Sequence, residues 1–226
     1  MTSEMEPLAP SLSLPDQRNY DQSYGLALKI AFETLATIDI ESQCQRAGAA
    51  YRVGDSQKVI TLDYLNRQFE IIPPDQVREK GSPEEVPLRD KILIMHYFLQ
   101  AKGTPLTSKP INFKELKEGA SYFPTFSKRA ILPLVDYFGK ESPRLLEVAK
   151  QLGGEKADYG DAAVTIKAFP RVPITLVVWR GDEEFPPEAN ILFDSTISDY
   201  LPTEDIIVLC QTISWKLVSL LPQEGA

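Results

Sequence analysis

The chain contains a single histidine, His96. It sits in the stretch LRDKILIMHYFLQAKG, Leu88 to Gly103, where every other residue from Ile92 to Leu99 is apolar or aromatic. An imidazole on such a helix has two readings. As a site residue it is an axial ligand to a metal held in a flat macrocycle, a haem or a corrinoid, with Tyr97 and Phe98 as apolar neighbours of the ring. As a core residue it pairs its ring nitrogens with backbone carbonyls, the commoner fate of a histidine in an apolar helix. Trp179 and Phe185 are further aromatic contacts for a flat ligand. They border a second stretch with chemical potential, RGDEEFPPEANILFDSTISDYLPTED, Arg180 to Asp205. Carboxylate oxygens suit Mg²⁺ or Ca²⁺, and Glu184, Glu188 and Asp194 form the candidate metal set. The spacing is not that of an EF-hand loop, and it singles out no pair of acids for acid–base work. The plainer reading is a solvated strand end at Asp182 to Glu184, with Glu204 and Asp205 favouring the positive end of a helix.

Absent motifs narrow the chemistry. There is no GxGxxG, no Gly-rich loop with Lys-Ser/Thr, and no GxSxG, so nucleotide binding and a serine-hydrolase elbow have no local support. One histidine excludes an HExxH zinc helix. Cys44 and Cys210 are the only cysteines, so the chain alone supplies no Fe–S cluster. A net charge of −8 argues against a nucleic-acid partner, because a phosphate backbone would be repelled. No apolar run approaches the roughly 18–20 residues of a membrane span. The N-terminus has no basic and apolar leader pattern, so a cytoplasmic protein is expected.

The elements that would position these residues follow from pattern. Residues 1–15, acidic and proline-rich, are expected to be a disordered tail, with one α+β domain over 16–226. Helices are predicted from about Asp21 to Ala36 and from Asp39 to Arg46, the second capped by Asp39 and ended by Gly48. KVITLDYL and QFEIIPP read as a hairpin. The proline-rich stretch at 73–87 is expected to be a loop and a lobe boundary. Leu88 to Gly103 is a buried central helix. Phe123 to Gly139 is a helix interrupted near Pro133, and Ser142 caps another. DAAVTIKAF, VPITLVVWRG and ANILFD are strands of a mostly antiparallel sheet, because their connections are too short for crossovers. Thr203 is expected to cap a last amphipathic helix to Leu221.

Several segments taken together carry a family likeness. RDKILIMHYFLQAKGTPLTSKPINFKELKEGASYFPTFSKRAI and DAAVTIKAFPRVPITLVVWRGDEEFPPEANILFDSTISDYLPTED resemble an uncharacterised domain-of-unknown-function family, number three-seven-eight-six. The resemblance implies a setting in anaerobic bacteria and archaea. It also implies kinship with members fused to an Fe–S module like that of corrinoid iron–sulfur proteins. The common corrinoid-ligating pattern, with Asp two residues before His, is not present here, since Ile94 and Met95 precede His96. The leading expectation is a non-enzymatic accessory protein that binds a corrinoid or haem in one-carbon metabolism. The alternatives are an enzyme using the Asp/Glu group with a divalent cation, and an interaction module for an Fe–S or corrinoid protein.

Overall fold

Short antiparallel hairpins dominate the strand content. The computed structural model describes residues 17–54 and 57–222; the expected tail at 1–15 lies outside the described residues. A first sheet is a simple meander of β1 (Ala50–Val53), β2 (Lys58–Tyr64), β3 (Arg67–Ile72) and β4 (Gln76–Glu79). A second sheet contains β5 (Pro110–Asn112), β6 (Glu155–Lys156), β7 (Ala162–Phe169), β8 (Val172–Trp179) and β9 (Glu188–Asp194), in the spatial order β5-β9-β8-β7-β6. All pairings are antiparallel. The α+β class and the antiparallel pairing agree with the sequence reading, but the strands divide into two sheets.

One hairpin joins them. Leu65 and Asn66 turn β2 into β3 with φ of 48° and 64°, the two positive values of a type I′ turn. A leucine in the left-handed region costs about 1 kcal/mol. Burial offsets this: Leu65 is among the core residues, and its N–H donates to the Ala168 carbonyl of β7 at 3.0 Å. The tip of the first sheet is thereby tied to the second.

The helices are α1 (Gln17–Leu35), α2 (Ile40–Ala47), α3 (Leu88–Gln100), α4 (Gly119–Phe126), α5 (Leu132–Phe138), α6 (Pro143–Ala149) and α7 (Thr203–Ser219). Asp39 caps α2 through the Glu41 and Ser42 N–H groups, and Gly48, at φ 68°, ends it. α3 is the buried central helix that its apolar run predicted. Tyr97 stacks on Phe169 of β7 with centroids 4.2 Å apart, and Phe169 stacks on Tyr64 of β2 at 4.9 Å. The Tyr64 hydroxyl donates to Asp90 in the first turn of α3 at 3.1 Å. Buried Gln43 of α2 donates to the Phe98 and Ala101 carbonyls, which a helix end otherwise leaves without partners.

The predicted break near Pro133 takes the form of a π turn over Ser127–Ile131, between α4 and α5. The Leu132 N–H reaches back to the Ser127 carbonyl. A proline ring collides with the carbonyl four residues earlier in a regular α-helix, and a wider turn relieves this. The Ala130 carbonyl in that turn accepts from the buried Ser214 hydroxyl of α7 at 2.7 Å. Ser214→Ala removes this buried hydrogen bond between α7 and the turn. We expect a loss of about 1–2 kcal/mol in urea unfolding with the m-value unchanged.

Two caps differ from the sequence reading. Ser142 has helical dihedrals and makes no side-chain cap. Pro202 takes the cap position of α7, while the Thr203 hydroxyl donates to the Lys117 carbonyl at 2.9 Å. Among the described residues no helix is long and apolar enough to cross a membrane.

Candidate functional site

His96 is the half-buried position in the middle of α3: its neighbours Met95 and Tyr97 are both 0% exposed, whereas 28% of its own side chain is open. Asp205 lies in the first turn of α7, where unpaired backbone N–H groups favour a negative side chain. The two meet at 2.7 Å, His96 Nδ1 to Asp205 Oδ2. In the neutral ring Nδ1 then donates its proton to the carboxylate, and Nε2 carries the lone pair. The hydrogen bond that His96 donates to Asp205 holds the His96 pKa above its ordinary value, against burial, which lowers it.

This shift has a consequence for stability. A histidine whose folded pKa exceeds its unfolded value contributes stability fully present below about 6.5 and lost as pH rises through the folded value. The melting temperature of the wild type relative to His96→Gln is therefore expected to be highest at mildly acidic pH and to fall above neutrality. A pH-independent difference would show that the pair is not charged in the folded protein.

A separate set of polar contacts surrounds the end of β9. Asp194, at the end of β9, is 8% exposed. Its carboxylate accepts from the Thr107 N–H at 3.0 Å and the Thr107 hydroxyl at 3.0 Å. It also accepts from the Ser108 N–H at 2.7 Å, the Thr196 N–H at 3.0 Å and the Thr196 hydroxyl at 2.8 Å. Burial pushes this carboxyl up, but the donors of Thr196 and Thr107 outweigh it and hold the pKa below the ordinary value. Asp199 accepts from Lys102 Nζ and from the Thr104 hydroxyl, each at 2.8 Å, and these lower its pKa too. The Tyr200 hydroxyl donates to the Thr104 carbonyl. The Tyr97 hydroxyl donates to the Ala47 carbonyl at 2.7 Å and accepts from the Arg171 N–H at 3.3 Å. Residues 102–108, the Arg171 turn and the segment from Asp194 to Tyr200 therefore lie at one end of the second sheet.

The candidate residues do not all converge there. Tyr97 and Phe98 are both 0% exposed and pack in the core. Trp179 pairs with Glu188 across the far end of β8 and β9, and Phe185 lies on the loop beyond it. Glu188 and Asp194 stand at opposite ends of β9; six residue steps of about 3.4 Å separate them by about 20 Å. The metal set Glu184, Glu188 and Asp194 is thus not brought together, and the oxygens of Asp194 are already occupied. Among the described residues no three His, Cys, Asp or Glu side chains are grouped to hold a metal ion. Cys44 and Cys210 are buried and unpaired with each other. Burial pushes the Cys44 thiol up to about 11, which leaves it protonated and unreactive at neutral pH.

Asp205 was legible only as a helix-terminal acid, and nothing in its spacing paired it with a residue 109 positions earlier. Asp199 reads from sequence in the same way, as an acid near the start of the last helix. The hydroxyls of the intervening loop, at Thr104, Thr107 and Ser108, were the available signal for its attachment to carboxylates.

The architecture defines an α+β domain whose one imidazole is oriented by a carboxylate. The chain belongs to a family described as a domain of unknown function, DUF3786, whose model matches residues 39–215. That span holds both sheets, His96 and Asp205. No curated protein and no solved structure matches the chain.

Proposed function

We propose that this chain is a non-enzymatic accessory protein that presents the Nε2 atom of His96 to the metal of a corrinoid or haem. The observation that carries this reading is the His96–Asp205 contact at 2.7 Å on a half-buried ring. A histidine that ligates a metal commonly donates its other N–H to a carboxylate, which fixes the tautomer and makes the ring a stronger donor. A general-base reading is less favoured, because the hydrogen bond described for His96 joins it to a carboxylate, Asp205, and to no nucleophile among the described residues. When bound, the macrocycle would supply the metal that accepts this nitrogen.

The residues fit part of such a cofactor. The imidazole suits an axial position, while Tyr97 and Phe98 lie inside the core. On the two helices, residues one turn beyond the pair, Leu99 and Val208, are half-buried apolar side chains that suit one face of a ring system. Support from one side favours a macrocycle carried largely by another protein. The partner is then a corrinoid or Fe–S protein of the cytoplasm, in the anaerobic one-carbon setting that the family resemblance suggests. The cation-dependent enzyme reading loses its basis with the separation of its carboxylates.

The test is an absorbance titration of the purified protein with hydroxocobalamin and with haemin. A saturable spectral change that His96→Ala abolishes is the expected result. Spectra identical for wild type and His96→Ala with both compounds would overturn the proposal.

A further inference from the structure

The opposite end of β8 and β9 carries a feature that His96 does not explain. Phe185 is 68% exposed, the most open of the large apolar side chains described. It is also rigidly presented. The Asp182 carboxylate accepts from the Glu184 and Phe185 N–H groups, both at 2.8 Å, and the Asp182 N–H donates to the Phe185 carbonyl at 2.9 Å. Pro186 and Pro187 follow, and Pro187 packs so closely on Gly139 that a Cβ there would come within 2.6 Å of its ring. The Gly181 N–H donates to the Gly139 carbonyl at 3.4 Å. Between this loop and the end of α5 lies an open cavity of about 320 Å³, walled by Phe185, Pro186, Pro187 and the backbone of Gly139 and Gly181.

A protein that leaves a phenylalanine in water on a stiff loop forgoes the stabilisation that its burial would give. Preorganised aromatics of this kind serve as anchors in protein interfaces, because little ordering remains to be done on binding. The charge at the rim selects the occupant. Asp182, Glu183 and Glu184 line the cavity against Lys140 alone. Asp182 is held ionised by its backbone donors, and Glu183 and Glu184 are exposed with no ion-pair partner among the described residues.

We propose that this loop is a docking surface for a basic segment of a partner protein, with an arginine or lysine side chain lying over Phe185 and its charge facing Glu183 and Glu184. The aromatic face and the aliphatic stem supply contact, and the carboxylates supply selectivity for cations. This inference does not depend on what His96 binds.

The experiment is fluorescence anisotropy of a labelled Ser–Arg repeat decapeptide, with a Ser–Gln repeat as control, at low and at high salt. Saturable binding of the basic peptide is expected, weaker at high salt. Phe185→Ala and the double variant Glu183→Gln/Glu184→Gln should each weaken it by at least about 10-fold. Asp75→Asn/Glu84→Gln, which removes the same charge elsewhere on the surface, should change it by less than about 2-fold. All five positions are exposed, so the fold tolerates these changes. Absence of binding overturns the proposal, as does equal binding by Phe185→Ala or by the Ser–Gln peptide. Self-association that disappears in Phe185→Ala would assign the surface to a second copy of the chain, and would overturn it too.

Discussion

Asp194→Ala is expected to lower folding stability by about 3–5 kcal/mol, the largest single loss on this surface. The carboxylate accepts from three backbone N–H groups and two hydroxyls. Hydrogen bonds to a charged group contribute about 1.5–3 kcal/mol each, and donors stranded by the loss of their acceptor add a desolvation cost. These bonds are also what attach residues 107 and 108 to β9, next to the pairing of Pro110 with Asp194. Ser108, at φ 57°, holds a left-handed backbone that a serine avoids without such support. Asparagine should rescue little, because its amide would confront donors with donors.

The sign of the pH dependence is set. A carboxylate whose folded pKa lies below its unfolded value contributes stability present above about 3.9 and lost as pH falls through the folded value. Wild type and Asp194→Ala should therefore converge in stability under strongly acidic conditions. Urea unfolding at neutral and acidic pH measures both effects. A loss below about 1 kcal/mol at neutral pH would mean that the 102–108 loop is held by other contacts.

The second large effect concerns His96. On the proposed reading, His96→Ala removes the ring that would ligate the corrinoid or haem, and affinity is expected to fall by at least about 100-fold. Asp205→Asn keeps the ring but weakens its orientation and basicity, for which about 10–100-fold is usual. The Asp205→Asn spectrum should still show ligation at saturating cofactor, whereas the His96→Ala spectrum should not. Asp205→Glu, which keeps the charge, should recover part of the loss. If Asp205 were only a link between α3 and α7, its replacement would lower the melting temperature and leave affinity per folded molecule unchanged.

Much of the fold was legible because local rules decide it. Asp39 and Gly48 bound α2 by cap chemistry. The all-round apolar run of α3 could only be buried, and Pro133 marked its helix as irregular. The strands that escaped notice, β1, β4, β5 and β6, are short and lack a run of alternation that reveals a strand. β1 has no buried residue and β4 has one, Val77. Short turns revealed antiparallel pairing, but not that the hairpins belong to two sheets, since sheet membership also rests on pairings between strands far apart in sequence, such as β5 with β9. Part of the site was legible for a similar reason. A lone histidine in an apolar helix stands out. Its partner 109 residues away does not, and whether Tyr97 faces a ligand or a neighbouring Phe169 depends on tertiary packing that no window of sequence contains. The acids divided likewise: Asp194 and Glu188 are neighbours on paper and lie at opposite ends of a strand in space.

The most direct measurement is ¹⁵N nuclear magnetic resonance of protein labelled at histidine, without and with hydroxocobalamin. Because His96 is the only histidine in the chain, each ring nitrogen gives one assignable signal. The expected result is a single neutral tautomer above its pKa, with the proton on Nδ1 and a bare Nε2, followed by a large displacement of the Nε2 signal alone when the cobalt compound is added. Signals averaged over both tautomers, and unmoved by the compound, would contradict an Asp205-oriented imidazole that serves as a metal ligand.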